Sequence, residues 1–241
     1  MNQTSERKAA VPIPLAEVTR RLAQSKNACD TRKSRDLNRI IELSTGPWAG
    51  RVEVLCALAG QGRSLSIVTE LAADGLAWDG KPEANGMWTV LLTMGTVYPL
   101  SQPTAQFAGR VPFNPHVAHA AFLPDDRGLP PELRPFIAAM RTGSDGQCCF
   151  VRQNQWSADS DHDLAIVLWQ VSRIVTGSAF YGERAALNRQ AADHYVQLSK
   201  AGRLPFGPAL PAPLGDGREE AAPSDGDDGI DWDDAAPGGA Q

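Results

Sequence analysis

The segment from residue 51 to residue 109 constrains the fold most. RVEVLCAL at 51–58, SLSIVTEL at 64–71 and MWTVLLTMG at 87–95 are rich in apolar and β-branched residues, and glycine-containing connections such as AGQGR and ANG separate them. Strands joined by links too short for a crossover helix pair as antiparallel neighbours, so the segment predicts a meander. PTAQFAG at 103–109 predicts its fourth strand. Such a sheet must bury one face against something else, and the flanking sequence supplies helices.

Upstream, Leu15, Val18 and Leu22 recur at helical spacing, and Leu37, Ile40 and Ile41 do so again before Gly46 and Pro47 stop the pattern. The polar stretch from Asn27 to Ser34 divides the two runs. Downstream, Leu164, Val167, Leu168, Val171, Ile174 and Val175 form one apolar stripe over 161–175, and Ser160 with Asp163 fits a capping box. A last helix is predicted over 188–200, opened by Asn188 as N-cap and turning Ala191, Ala192, Tyr195 and Leu198 inward. Residues 1–14 end in VPIP and read as a loose lead-in. The stretch 205–241, rich in Pro, Gly, Ala and Asp, reads as a disordered acidic tail. The expectation is one α+β domain over 15–204.

An apolar fraction of 42% excludes disorder throughout. No stretch approaches the roughly 18 apolar residues of a membrane span, and MNQTSERKAA lacks the apolar run of a secretory signal, so a cytoplasmic protein is expected. Cys29, Cys56, Cys148 and Cys149 have neither disulfide-scaffold spacing nor paired CxxC motifs; they read as free thiols, with no metal or cofactor implied. The net charge of −5 is uneven: residues 216–241 hold nine acids against Arg218, a net −8, which leaves +3 on the remainder. The positive charge gathers before residue 40, in a pattern that fits an acidic protein partner better than nucleic acid.

Four local motifs occur in an order that resembles the ubiquitin-conjugating family. VYPLSQPTAQF at 97–107 resembles the family's YPxxPP turn through Tyr98 and Pro99, and PFNPHV at 112–117 its His-Pro-Asn motif. GQCCFVRQNQWS at 146–157 resembles the run from a glycine through the active cysteine to Trp-Ser, and ALNRQAADHY at 186–195 the PLNxxAA start of a late helix. The chain departs from the pattern in two places. His116 and Cys149 are 33 positions apart, with LPDDRGLPPELRPFIAAMR between them, and Asn114-Pro115-His116 exchanges the two polar residues. With arginine far outnumbering lysine, the chain resembles a bacterial branch, the conjugating components of antiphage defence operons. The partners this resemblance implies are a ubiquitin-like modifier, its activating enzyme, a deconjugating protease and a target protein, with no nucleic acid and no membrane.

The resemblance implies a fold of N-terminal helix, four-strand meander, long active-site loop and C-terminal helices, with a cysteine that carries the modifier as a thioester. Adjacent residues in extended chain face opposite ways, so Cys148 and Cys149 cannot both face a cleft. Aligning on the glycine of GQxC selects Cys149, the expected carrier of the thioester; aligning on the longer eukaryotic spacing to tryptophan would select Cys148 instead. His116 takes the place of the family's asparagine after proline, as a donor to the developing oxyanion or a pin for the loop, and Asn114 competes for that role. Asp145, Asp159, Asp161 and Glu183 are candidates to ease proton loss from an attacking amine. Trp156 is expected to anchor the loop, and Cys29 and Cys56 to pack as small apolar residues. Arg20, Arg21, Lys26, Arg32, Lys33 and Arg35 form the helix face expected to dock on the activating enzyme, and the acidic tail could compete for it. Two rival readings are a noncatalytic modifier-binding relative and a cysteine hydrolase pairing Cys149 with His116, His119, His162 or His194.

Overall fold

A computed structural model describes residues 12–59, 63–77, 81–118, 146–150, 156, 158, 162–179 and 187–213. Its elements are β1 (Pro12–Ile13), α1 (Leu15–Gln24), α2 (Ala28–Thr45), β2 (Val52–Ala59), β3 (Leu65–Leu76), β4 (Pro82–Met94), β5 (Thr104–Ala108), β6 (Gln147–Cys148), α3 (Leu164–Val175) and α4 (Arg189–Lys200). The strands form one antiparallel sheet in the order β1-β2-β3-β4-β5-β6. The predicted four-strand meander is therefore its centre, and a two-residue strand is added at each edge.

Strict alternation along β3 buries Leu65, Ile67, Thr69, Leu71, Ala73 and Gly75, and turns the residues between them outward. With Trp88, Val90, Leu92, Ala105 and Phe107, that face packs against Leu37 and Ile40 of α2 and the stripe of α3. Each fully buried side chain of this size contributes about 1.5–3 kcal/mol by leaving water. The β3–β4 hairpin runs well past its expected ends at 71 and 87. AADG and PEANG resemble turns, but the indole of Trp88 needs a glycine under it. A Cβ on Gly86 would lie 2.9 Å from the ring and one on Gly75 3.1 Å from it. The two glycines sit inside paired strands and Trp88 Nε1 donates to Ala73 O at 2.8 Å.

Three sequence expectations are corrected. The first helix breaks at Ser25–Asn27, ahead of most of the polar stretch, because the Asn27 side chain accepts from the amides of Cys29 and Asp30 and starts α2 there. The cap of α3 is Asp163, accepting from Ile166 N at 2.9 Å, so the helix begins at Leu164; Ser160 lies outside the described residues. The domain also extends beyond 204. Phe206 N donates to Thr176 O, Leu210 is buried with its amide on Ser172 Oγ, and Trp48 Nε1 donates to Pro211 O at 2.9 Å. A Pro-rich segment lacks donors but keeps its carbonyls, and here other elements supply the donors. Pro12 and Ile13, in the predicted lead-in, pair with β2. Among the described residues no helix is long and apolar enough to cross a membrane.

Candidate active site

The cysteine pair is placed by Gly146, whose φ of +83° turns the chain onto β5. A Cβ there would lie 2.3 Å from Phe107 O, and Phe107 N donates to Gly146 O at 2.8 Å, so the contact needs glycine twice over. β6 then pairs with β5, Ala105 opposite Cys148. On its other edge Val117 bridges to Cys148, with Cys149 N donating to His116 O and Ala118 N to Gln147 O, both at 2.9 Å. The Asn-Pro-His segment and the cysteine segment are thus antiparallel neighbours, though 33 positions apart at their key residues.

This register separates the two cysteines. Ala105, Val117 and Cys148 share the core face, where Cys148 is 4% exposed and burial pushes its thiol well above the ordinary range. Cys149, one residue on, belongs to the opposite face; it is half-buried, and burial raises its thiol as well. His116 is the backbone neighbour of Cys149 across this ladder, its carbonyl accepting from the Cys149 amide, and it sits in the turn that Val117 N closes on Asn114 O. His116 is buried, and desolvation lowers its pKa to about 4, so the ring is neutral near pH 7.

Asn114 has a different task. Its Oδ1 accepts from His116 N at 2.8 Å, and its Nδ2 donates to Ile174 O at 2.7 Å and to Tyr195 Oη at 3.0 Å. Both amide protons are spent inside the protein, so a reacting carbonyl would find no free donor there. Leu187 N and Asn188 N close on Pro115 O at 2.7 and 3.1 Å. The turn is therefore clamped to α3 and α4, and Asn114 positions His116. Tyr195 reads from sequence only as an inward-facing aromatic; its hydroxyl role depends on a neighbour 81 positions away.

Trp156 anchors the far side as expected. Its Nε1 donates to Pro99 O at 2.8 Å and its ring lies 6.1 Å from that of Tyr98. The Tyr98 hydroxyl in turn donates to the buried carboxylate of Asp36 on α2. No family model and no curated protein matches this chain. Its chemistry is accordingly read from its own geometry. Of the candidate histidine partners, His162 lies against Trp156 with ring centres 5.6 Å apart, and His194 against Phe113 at 6.1 Å. His119, Asp145, Asp159, Asp161 and Glu183 lie outside the described residues. Among the described residues no three His, Cys, Asp or Glu side chains converge to hold a metal.

The expected docking face is smaller than its sequence. Lys33 is buried, donates to Arg63 O at 2.5 Å, and has its pKa lowered by desolvation. Arg32 turns inward to Asp36 at 2.9 Å and to the carbonyls of Ala158 and His162. Arg20, Arg21, Lys26 and Arg35 remain exposed.

Proposed function

We propose that this chain is a conjugating carrier of the ubiquitin-conjugating kind, with Cys149 as the acceptor thiol. The observation that carries the reading is the register of the cysteine ladder, which turns Cys148 into the core and leaves Cys149 half-buried on the other face, its amide on the His116 carbonyl. The Cys149 sulfur attacks the activated carbonyl of a ubiquitin-like modifier held by its activating enzyme. Its proton passes to the expelled leaving group, and the acyl group stays on the sulfur as a thioester. A target amine then attacks the same carbonyl; the oxyanion collapses, the Cys149 thiolate leaves and takes up the proton the amine gives up, and an amide remains. Burial holds Cys149 as the neutral thiol at rest, so its proton must be removed as it attacks the activated carbonyl.

His116 serves the second step, either by donating to the oxyanion or by holding the loop so that backbone donors do so. The same pair also bears on the hydrolase reading. Burial favours neutral Cys149 and neutral His116, which weighs against the thiolate–imidazolium pair such an enzyme needs. The proposed setting is a bacterial antiviral operon, which the neighbouring genes test directly.

The deciding experiment is charging with modifier, activating enzyme and ATP. Cys149→Ser should trap a reductant-resistant oxyester, and Cys148→Ala should still form a thioester. A thioester on Cys149→Ala would move the site, and release of free modifier with no carried adduct would favour the hydrolase. His116→Ala should slow single-turnover discharge to lysine by roughly a hundredfold or more while charging stays near normal, the loss of an oxyanion donor being about 2.7–4 kcal/mol. An unchanged discharge rate would leave His116 as part of the fold.

A further inference from the structure

Strand alternation continues through the cysteine pair. Cys148 and Phe150 are both buried in the core, so Cys149 between them belongs to the outward face, where it is half-buried. On β5 the same alternation buries Ala105 and Phe107 and turns Thr104 and Gln106 outward. The two strands pair with Gln106 opposite Gln147 and Ala105 opposite Cys148, and one further step of this register sets Thr104 across from Cys149. The Cys149 amide is spent on the other edge, on His116 O, so Thr104 and Cys149 form a pair without a backbone hydrogen bond between them. In antiparallel strands these are the pairs whose side chains approach most closely.

Thr104 is exposed, and among the described residues its hydroxyl has no hydrogen-bond partner. Thr93, its cross-strand neighbour on β4, differs in this respect, since its Oγ1 is bonded to Ser66 Oγ at 2.8 Å. Donors nearer the Asn-Pro-His turn are committed as well: Asn114 Nδ2 to Ile174 O and Tyr195 Oη, and the Cys149 amide to His116 O. An acyl group carried on Cys149 therefore emerges on a face where Thr104 has a proton to offer.

We propose that the Thr104 hydroxyl binds the oxyanion that forms when an amine attacks the acyl group on Cys149. This deepens the carrier reading and rests on it. The amine nitrogen bonds to the thioester carbon while the carbonyl electron pair moves to oxygen, and Thr104 donates a hydrogen bond to that oxygen without giving up its proton. The carbonyl re-forms as the C–S bond breaks; the bond's electrons leave on the Cys149 sulfur, which takes up the amine's proton, and an amide remains. An oxyanion accepts more than one donor, so Thr104 acts alongside His116. A hydrogen bond to a charged oxygen is stronger than one to a neutral carbonyl, so the contact speeds the step and does not merely tighten the resting thioester. Water reaches this exposed hydroxyl, and the expected effect is about tenfold, short of the hundredfold or more of an enclosed donor.

The test is single-turnover discharge to lysine from the whole chain carrying Thr104→Val or Thr104→Ser. Valine keeps the shape and strand preference of threonine without the hydroxyl, and serine restores the hydroxyl. Thr104→Val should discharge about tenfold more slowly with its urea midpoint unmoved, and Thr104→Ser should stay within about threefold of the unaltered chain. A Thr104→Val rate within a factor of about two, or a Thr104→Ser rate as slow as that of Thr104→Val, would overturn the proposal. So would slowing on Gln147→Ala in its place. The comparison is repeated without a modifier: p-nitrophenyl acetate acetylates the protein, and loss of the acetyl group from the Cys149 peptide to lysine is followed by mass. The same deficit should recur there. If a modifier thioester forms and neither reaction separates Thr104→Val from the unaltered chain, the Thr104 proposal fails and the carrier reading stands. If no modifier thioester forms, the carrier reading fails, and the acetyl reaction alone decides whether Thr104 serves acyl transfer at Cys149.

Discussion

Helices α2 and α3 pack on the same face of one sheet and do so with opposite chemistry. The buried side of α3 is aliphatic, with Leu164, Val167, Leu168, Val171, Ile174 and Val175 at helical spacing and one buried serine, Ser172. The buried side of α2 pairs Leu37 and Ile40 with Lys33 and Asp36. The α3 contact needs only shape and the hydrophobic effect. The α2 contact needs each charge met: Asp36 by Arg32, Arg35 and the Tyr98 hydroxyl, Lys33 by a backbone carbonyl. Charges in a helix are thus no measure of its exposed face. This one holds the Tyr98–Trp156 side of the candidate site.

The comparison can be broken most sharply at Asp36. Asp36→Ala strands Arg32 and the Tyr98 hydroxyl in the interior and should cost about 3–5 kcal/mol in urea unfolding. A loss under about 1 kcal/mol would mean the network is solvated and α2 resembles a surface helix after all. Replacing Arg32, Asp36 and Tyr98 together by Met, Leu and Phe should recover most of the loss, because no charge is then left unpaired. On α3, Leu168→Ala should cost about 2–5 kcal/mol, with no polar substitution able to compensate.

Between these two cases lies His116, buried and neutral. Its pKa falls from an ordinary 6.5 in the unfolded chain to about 4 in the fold, so the stability it carries is complete above about pH 6.5 and is lost as pH falls through 4. At about 1.4 kcal/mol per pH unit the loss reaches roughly 3 kcal/mol. Denaturant titrations between pH 7 and 4 should show this slope, and His116→Gln should remove it. The smallest effect is expected on α1, where Arg20→Ala breaks a pair whose arginine is more than half exposed and should change stability by under about 0.5 kcal/mol.

The meander, the α3 stripe and the Asn188 cap were legible because each is a local pattern: a period of two, a period near 3.6, and a side chain three residues from the amide it binds. The length of the β3–β4 hairpin is hidden in the sequence for a physical reason: Gly75 and Gly86 look like turn residues until Trp88 is laid over them. Cys149, His116 and Asn114 each stand in a local motif, but their relation is not local.

Sequence alone determined that the chain builds an antiparallel sheet with helices before and after it. It also determined that its thiols are few and that its charge is split between a basic head and an acidic end. Tertiary structure decided which thiol faces outward, because that depends on Val117 pairing with Cys148 across a long insertion. It assigned the amide of Asn114 to clamping, because its acceptors come from α3 and α4. It also took Arg32 and Lys33 out of the surface and drew 205–213 into the domain. In each case a polar group's role is set by the partner that meets it, and a partner brought by folding from thirty or more positions away leaves no periodic trace in the chain.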